Sequence, residues 1–433
     1  MKRKENTDYD KTIFYINSRL KFGIKPGLIR IKKLLELMGN PQDDLKFIHV
    51  GGTNGKGSIC TILSSILVQA GYKTGLFTSP YVTDFKERFK INSEMIEKKC
   101  LIRILNEIKP FVDEMDKIGE PITEFELISA IAFQWFKENN CDIVVLEVGL
   151  GGTFDATNVI KESLVNVITS ISRDHMEILG NTLEKITENK LGILRKNGAV
   201  VVYPDQNFKV LNMIKERAEL LNNKIFIPDV SEIVINFSDL RGSDFMYKKI
   251  SYFMSLLGEH QIVNCATALE VIHYLNYLNF KITAGDVLKA LKNISFVSRL
   301  EMLSKEPLII LDGAHNVGGA LILKRFIESN FKNKKITAVI GMLRDKEVDE
   351  FLSILGPLFF KIIAVSPRNI RAMDGYKLKD FASNYCKKIV VKESLEDVVT
   401  EILYCEDIIL ICGSLYLSGD IRSIIMDKIY NKN

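Results

Sequence analysis

The sequence contains no long apolar run, and this excludes several classes of protein. No apolar stretch approaches the ~20 residues needed to span a bilayer. The N-terminal residues, Met-Lys-Arg-Lys-Glu-Asn-Thr-Asp, include no apolar segment of the kind found in a signal peptide. We therefore expect a cytoplasmic protein without a membrane partner.

Paired cysteines and a strong net charge are also missing. The seven cysteines are scattered along the chain, and none belongs to a C-x-x-C motif. This spacing argues against a disulfide framework or a zinc site. The 58 basic and 54 acidic residues leave a net charge of +4, which is too balanced to indicate a nucleic-acid-binding protein. We expect a monomeric globular protein whose partners are small molecules.

The chain is long enough for two domains. At 433 residues it exceeds what one hydrophobic core usually organises. Short apolar runs alternate with helical patterns, which is typical of α/β domains with mostly parallel sheets. The pattern restarts near residue 300, so we place the first domain at residues 1–296 and a second at residues 297–433. The predicted strands cover residues 46–50, 74–78, 142–148, 164–171, 199–203 and 225–228, then 308–312, 336–340, 362–365, 389–391 and 408–412.

A glycine-rich turn between a predicted strand and a predicted helix is the strongest local signal. Four glycines surround Lys56 in the segment Gly51-Gly-Thr-Asn-Gly-Lys-Gly-Ser58. Glycines let several backbone N–H groups converge on an anion, and the helix N-terminus adds its positive dipole. Lys56 supplies a charge, and Ser58 or Thr53 supplies a hydroxyl. The turn predicts a phosphate-binding loop, a variant of G-x-x-x-x-G-K-[ST] because Gly57 follows the lysine. A purely structural turn is the alternative.

Polar residues follow three other predicted strands, at the sheet edge where open α/β proteins bind ligands. Glu147 lies near the end of an apolar strand, and a buried carboxylate requires a cation or hydrogen-bond donors. Mg²⁺ held together with ATP phosphates would provide the cation. His175 follows strand 164–171, and Asp312 and His315 follow the first strand of the second domain. A solvated glutamate and structural histidines are the alternatives. Together these groups indicate ATP- and Mg²⁺-dependent group transfer.

The motifs as a set resemble the folylpolyglutamate synthase/dihydrofolate synthase branch of the Mur ligase superfamily. The resemblance extends over about residues 15–420, in the family's order. Its segments are Gly52-Thr-Asn-Gly-Lys-Gly-Ser58, Thr78-Ser-Pro-Tyr81, Thr123-Glu-Phe-Glu126, Glu147-Val-Gly-Leu-Gly-Gly152, Asp174-His175, Lys190-Leu-Gly-Ile193, Gly258-Glu-His-Gln261 with Asn264, Arg299-Leu-Glu301, Asp312-Gly-Ala-His-Asn316 and Gly413-Ser-Leu-Tyr416.

The resemblance implies a fold, an activity and a set of residue roles. The fold is the Mur ligase architecture, with an N-terminal P-loop ATPase domain and a C-terminal Rossmann-like domain. The activity is ATP-dependent addition of L-glutamate to folates through an acyl phosphate, with dihydropteroate as a further acceptor. Lys56, Lys190 and His175 would be catalytic, and CO₂ would carbamylate Lys190. ATP would be bound by Thr53, Asn54, Gly55, Lys56, Gly57, Ser58, Asn264, Arg299, Asp312 and His315; Mg²⁺ by Ser58, Ser79, Glu147 and His175, with K⁺ as an additional candidate ion; and the pterin substrate by Thr123, Glu124, Phe125, Glu126, Phe154, Asp155 and Ala156.

Several positions depart from the family's pattern. Thr153 stands where the family usually has arginine, and Tyr81 replaces a histidine. Threonine cannot supply the bidentate anion contact of a guanidinium. Val297-Ser298 replace Pro-Gly before Arg299. Two alternatives therefore stay open: a Mur-type amide ligase acting on a different carboxylate, and an ATP-binding paralogue without turnover.

Overall fold

The computed structural model describes residues 7–430. Residues 1–6, which form most of the segment used above to argue against a signal peptide, lie outside the described residues. Among the described helices, none is both long and apolar enough to cross a membrane.

The chain divides into two compact α/β units. The antiparallel segment Ser231–Ile262 belongs to the second unit, although it precedes the predicted boundary between residues 296 and 297. That boundary stays a prediction. The first unit comprises the chain up to Tyr81 with Lys86–Val230 and Val263–Leu291; the second comprises Val82–Phe85, Ser231–Ile262 and the chain from Lys292.

The helices and strands follow in two groups. Up to residue 226 they are α1 (Asp8–Ser18), α2 (Ile29–Leu37), β1 (Phe47–Gly51), α3 (Lys56–Gln69), β2 (Thr74–Phe77), β3 (Phe89–Ile91), β4 (Glu94–Met95), α4 (Lys98–Lys117), α5 (Glu124–Glu138), β5 (Ile143–Glu147), β6 (Val165–Ile168), α6 (Met176–Leu179), α7 (Leu183–Lys190), β7 (Ala199–Val202), α8 (Phe208–Leu220) and β8 (Lys224–Phe226). Beyond it they are β9 (Val234–Asp239), β10 (Gly242–Tyr247), β11 (Ile250–Met254), α9 (Glu259–Tyr277), α10 (Ala284–Asn293), β12 (Glu301–Lys305), β13 (Leu308–Leu311), α11 (Val317–Asn330), β14 (Ile336–Ile340), α12 (Val348–Leu355), β15 (Lys361–Ala364), α13 (Gly375–Ala382), β16 (Ile389–Val391), α14 (Leu395–Ile402), β17 (Ile408–Cys412) and α15 (Leu415–Tyr430).

The first unit is built on a mostly parallel sheet with the strand order β4-β3-β2-β5-β1-β6-β7-β8. In this sheet order, each pair of neighbours in the series β2-β5-β1-β6-β7-β8 is parallel. At the other end of the sheet, β3 pairs antiparallel with β2, and β4 pairs antiparallel with β3. β1 lies between β5 and β6, and all five of its residues are buried, as expected for a central parallel strand. Because parallel strands end at the same edge, the segments that follow β1, β2, β5 and β6 are neighbours there.

The second unit contains a sheet in the order β12-β13-β17-β14-β15-β16, with β12 antiparallel to its neighbour and the other pairs parallel. Alternate residues of each strand line opposite faces. Ile310, Ala338 and Leu410 pack in one buried cluster, whereas Ile309, Val339 and Ile409 pack in another. The sheet is therefore covered on both faces, which explains why its parallel strands are continuous apolar runs.

The predicted fold class is confirmed, but the sequence pattern missed some antiparallel strands. An antiparallel sheet, β11-β10-β9, and strands β3, β4 and β12 were not predicted. These strands include many exposed or half-buried residues. They consequently lack the apolar runs that identify buried parallel strands.

Phe133 tests how far the core of the first unit determines stability. Its side chain is fully buried in α5, and its ring meets that of Phe47 edge to face, with centroids 5.8 Å apart. We expect Phe133→Ala to lower the free energy of unfolding by about 3–5 kcal/mol, measured as a lower midpoint of urea unfolding by circular dichroism. Phe14→Ala is the control, because that α1 side chain is 76% exposed and its loss should change stability by about 0.5 kcal/mol or less. Equal shifts in both variants would contradict the expectation.

Candidate active site

The glycine loop joins β1 to α3 and is shaped by two residues that must lack a side chain. Gly52 has φ +139° and Gly55, the N-cap of α3, has φ +89°. A Cβ on Gly52 would lie 1.9 Å from Thr169 Oγ1, and one on Gly55 would lie 2.9 Å from Asn264 Oδ1. The loop is therefore packed closely against the end of β6 and against α9. This places Asn264, one of the predicted ATP ligands, beside the loop.

The segment after β6 holds the glycine loop through backbone hydrogen bonds. Thr53 N donates to Ser170 O at 2.7 Å, and Thr53 Oγ1 accepts a hydrogen bond from Ser172 N at 3.1 Å. Gln206 fixes that segment in turn: its Nε2 donates to Thr169 O at 2.8 Å and its Oε1 accepts from Ile171 N at 3.1 Å. The conformation of the glycine loop is thus fixed by the segment after β6 and, through that segment, by Gln206, as well as by its own glycines.

Two lysines converge on one carbonyl oxygen of this loop. Lys56 Nζ donates to Gly52 O at 3.3 Å and to Thr53 O at 3.1 Å. Lys190, the last residue of α7, is buried, and its Nζ donates to Gly52 O at 2.6 Å. Burial and the Lys56 charge lower the pKa of Lys190 to about 7, against the opposing charges of Asp174 and Asp155. The Lys190 amine is therefore substantially uncharged near neutral pH.

Glu147 ends β5 with a buried carboxylate beside the segment that follows β2. Its Oε2 accepts a hydrogen bond from Ser79 N at 3.0 Å, and only 4% of the residue is exposed. Among the described residues, no cluster of three or more His, Cys, Asp or Glu side chains could hold a metal. The oxygens of Glu147, Ser79 and Ser58 are of the hard type that Mg²⁺ prefers. They fit an ion whose other ligands come from water and phosphate, as is usual for Mg²⁺.

His175 lies at a sharp turn before α6. Its φ of +50° is left-handed, and its backbone N–H donates to Asp174 Oδ1 at 2.9 Å. The Nε2 atom lies 3.8 Å from Asp174 Oδ2, and 39% of the side chain is exposed. The charge of Asp174 reaches Lys190. Hence Asp174, in the polar segment after β6, opposes the lowering of the Lys190 pKa.

Two of the predicted substrate residues start helix α5. Thr123 and Glu126 form a capping box, in which Thr123 Oγ1 accepts from Glu126 N at 3.3 Å and Glu126 Oε2 accepts from Thr123 N at 2.8 Å. Glu126 Oε1 also pairs with Arg30 at 3.0 Å. Both side chains therefore have a structural function that the T-x-F-E motif does not reveal.

The other two residues of this motif lie in apolar or ion-paired surroundings. A Cβ on Gly149 would lie 2.3 Å from Phe125 Cζ, so the ring packs directly on the loop after β5. Glu124 lies 3.5 Å from Arg88. Burial raises the pKa of Glu124, and the Arg88 charge opposes that rise. Phe125 thereby joins the start of α5 to the loop 149–158.

The loop 149–158 is organised around Asp155. This carboxylate is buried and accepts hydrogen bonds from Leu150 N at 2.7 Å, Thr157 N at 3.0 Å and Thr157 Oγ1 at 2.5 Å. Burial raises the pKa of Asp155, whereas these donors lower it. Phe154 is 53% exposed and Ala156 is buried. Of the three predicted substrate residues here, only Phe154 presents a largely exposed side chain.

Thr153, at the position of the family's usual arginine, bonds within the first unit. Its N and Oγ1 both donate to Asn189 O at 2.9 Å. This hydroxyl therefore fastens the loop to α7, and it does not replace the anion contact of a guanidinium.

The predicted ATP residues of the second unit are grouped around one turn. Asp312 is half-buried, and its carboxylate accepts from Leu300 N at 2.9 Å and Ala314 N at 2.8 Å. Burial raises the pKa of Asp312, and the Arg299 charge lowers it. His315 Nδ1 lies 2.8 Å from Gly313 O. Asp312, Arg299 and His315 therefore belong to one cluster at the carboxyl end of β13.

Sequence reasoning missed three groups that shape the surroundings of the glycine loop. It gave no role to the Gly52 carbonyl, to Asp174 or to Gln206. A backbone carbonyl carries no sequence signal, and Gln206 follows a strand without any recognisable motif. Asp174 had a signal, since it stands beside His175 after an apolar strand.

Comparison with known proteins extends over nearly the whole chain. The Mur ligase middle domain matches residues 50–272, and the C-terminal domain of dihydrofolate synthetase matches residues 297–424. The dihydrofolate synthase/folylpolyglutamate synthase of Bacillus subtilis is 36% identical, over 96% of this chain and 99% of its own length. The dihydrofolate synthetase of Saccharomyces cerevisiae is 34% identical, over 93% and 98%.

Solved structures show the same relationship. The folylpolyglutamate synthase of Thermotoga maritima superposes with a TM-score of 0.84 at 31% identity, over 97% of both chains. Escherichia coli FolC in complex with DHPP and ADP superposes with a TM-score of 0.84 at 25% identity, over 96% of this chain and 98% of that one. With a glycine loop that two lysines contact and these matches along its length, the chain belongs to the dihydrofolate synthase/folylpolyglutamate synthase family of Mur-type ligases.

Proposed function

We propose that this protein is an ATP-dependent ligase that adds L-glutamate to folates and also accepts dihydropteroate. The observation that carries the proposal is the convergence of Lys56 and Lys190 on the Gly52 carbonyl, at a glycine loop that begins a helix. The family supports it: the Bacillus subtilis relative is named for both activities, and Escherichia coli FolC was solved with DHPP and ADP.

The chemistry requires charge neutralisation at the loop. A carboxylate oxygen of the acceptor attacks the γ-phosphorus of ATP, and ADP leaves. The amine of glutamate then attacks the acyl carbon, loses a proton and expels phosphate. Phosphoryl transfer depends on electrostatic stabilisation rather than on covalent help from the protein. Lys56 and the N–H groups at the start of α3 would supply it.

The remaining site residues keep the roles proposed from the sequence. Ser58, Ser79, Glu147 and His175 would hold Mg²⁺, which would neutralise phosphate charge, and K⁺ is the candidate second ion. Thr53 to Ser58, Asn264, Arg299, Asp312 and His315 would bind ATP. Residues 123–126 and 154–156 would contact the pterin. We also propose a domain boundary at residues 296/297, a monomeric state and a cytoplasmic location.

A ligation assay tests the proposal directly. The purified protein receives ATP, Mg²⁺ and radiolabelled L-glutamate, with dihydropteroate in one tube and a reduced folate monoglutamate in another. We expect label in the pterin product of both tubes and none without ATP. Label in the folate tube alone would exclude the dihydropteroate activity. ATP binding without label in either tube would favour a ligase for another carboxylate, which the Thr153 side chain already suggests.

Lys56→Ala tests the glycine loop. Losing this charge should reduce kcat/KM for ligation by about 100-fold or more, because it stabilises the transferring phosphoryl group. The matched control is Lys117→Ala, which removes an exposed lysine in α4. Unchanged ligation by Lys56→Ala would exclude the assigned role of the loop.

Lys190 should react with CO₂ in a pH-dependent manner. Only an uncharged amine adds CO₂, giving a carbamate and a proton, and the Lys190 pKa of about 7 makes about a tenth of the amine available at pH 6 and about nine-tenths at pH 8. With dissolved ¹³CO₂ held constant, a protein carbamate signal in ¹³C NMR should grow over this range. Lys190→Arg, which cannot form a carbamate, is the control. A signal that persists in this variant, or no signal in the native protein at pH 8, would contradict the modification.

A further inference from the structure

A buried chain of hydrogen bonds connects the centre of the first sheet to the loop 149–158. His49 is the middle residue of β1 and has no exposed surface. Its Nε2 lies 2.9 Å from Thr157 Oγ1, which itself lies 2.5 Å from Asp155 Oδ1. The other carboxylate oxygen, Asp155 Oδ2, accepts from Leu150 N at 2.7 Å. This series of hydrogen bonds therefore begins at β1 and ends on the backbone of the loop 149–158.

The proton positions in this chain follow from its geometry. A threonine hydroxyl has one hydrogen, and Thr157 gives it to the Asp155 carboxylate, which the backbone N–H groups also approach. His49 must then donate through Nε2, which leaves Nδ1 without a proton. Burial and the Arg195 charge lower the pKa of His49 to about 3, so the ring is neutral at physiological pH. One tautomer of His49 is thereby selected.

The surroundings of the second ring nitrogen, Nδ1, indicate that a histidine at position 49 does not serve to stabilise the fold. Asn166 is the neighbour of His49 in register on β6. Two buried atoms of this pair have no hydrogen-bond partner in the structure, His49 Nδ1 and Asn166 Nδ2. A buried polar atom left unpaired destabilises a protein by about 1–3 kcal/mol. The neighbouring β1 residues Phe47, Ile48 and Val50 are apolar, and an apolar residue at position 49 would avoid this penalty. The hydrogen bond through Nε2 is what an apolar residue could not provide.

The loop that receives this hydrogen bond lies against two parts of the candidate site. Phe125 packs on Gly149 at one end, and a Cβ on Gly152 would lie 2.7 Å from the Lys190 carbonyl oxygen. Asp155 fixes the middle of the loop, next to the exposed ring of Phe154. A shift of Asp155 would therefore move Phe154 while Gly149 and Gly152 stay packed.

We propose that His49 is a positioning residue, which holds the loop 149–158 through Thr157 and Asp155 in the shape that receives the pterin of the acceptor. The assignment rests on the proposed function, because the pterin is the substrate of that reaction. His49 itself touches no substrate in this proposal. Its effect is on the binding of the acceptor and not on the binding of ATP.

Steady-state kinetics of His49→Leu and His49→Gln test this assignment. Leucine has a similar volume but no donor, whereas the glutamine amide can donate from the place of Nε2. We expect His49→Leu to raise KM for the folate acceptor about tenfold, the effect of losing a hydrogen bond in a charged network, with KM for ATP changed less than about twofold. His49→Gln should restore a KM near the native value. Thr157→Val should resemble His49→Leu, and the double variant should be no worse than either, because both break the same chain.

The controls separate positioning from folding and from the ligase activity itself. Thr12→Val removes another part-buried hydroxyl, which donates only to Asp8 O in α1, and should leave both KM values unchanged. A parallel rise in KM for ATP, or lowered thermal stability with an unchanged acceptor KM, would overturn the positioning role. If His49→Leu does not fold, Thr157→Val decides by the same criteria. Failure of the native protein to ligate glutamate to any folate would instead refute the proposed function.

The tautomer gives an independent readout. In protein labelled with ¹⁵N-histidine, the resonance missing from His49→Gln belongs to His49. We expect shifts of a protonated Nε2 and an unprotonated Nδ1, constant from pH 6 to 8. A protonated Nδ1 would overturn the proposal, because Nε2 could then only accept.

Discussion

The carbonyl oxygen of Gly52 is the point on which the candidate site depends. Two ammonium groups, those of Lys56 and Lys190, lie within hydrogen-bond distance of it. Burial lowers the pKa of the Lys190 amine, and the nearby Lys56 charge lowers it further, to about 7. The backbone reaches this place only because Gly52 has no side chain to collide with Thr169. The absence of a side chain at Gly52 thus sets the path of the backbone that brings this carbonyl to both lysines.

The sequence was sufficient for the parallel part of the fold. Strands such as β1, β5 and β17 are buried on both faces, so each is a mostly apolar run, and such runs are visible without a structure. Strands such as β9 and β11 are partly exposed, and their mixed residues resemble loops. Pairing between strands decides their structure, and pairing is not encoded in the local pattern.

The candidate site was predictable in its location and only partly in its contacts. Parallel strands end at one edge, so Glu147 and the glycine loop could be placed near each other from the sequence. The hydrogen bond between His49 and Thr157 joins residues separated by 108 positions, and a histidine within an apolar strand gives no sign of its partner. The use of Thr153 to hold Asn189 is hidden for the same reason: it depends on the folded backbone.

The capping box at the start of α5 gives two of the proposed substrate residues a function in the fold itself. Thr123 and Glu126 complete the first turn of that helix, and Glu126 also pairs with the half-buried Arg30. An evolutionary change at either position toward a new acceptor would therefore loosen a helix whose buried residues form part of the core. A change at Phe154, another proposed pterin contact, would disturb the fold less, because its ring is exposed. The motif's persistence in a lineage can consequently reflect helix architecture as much as ligand recognition.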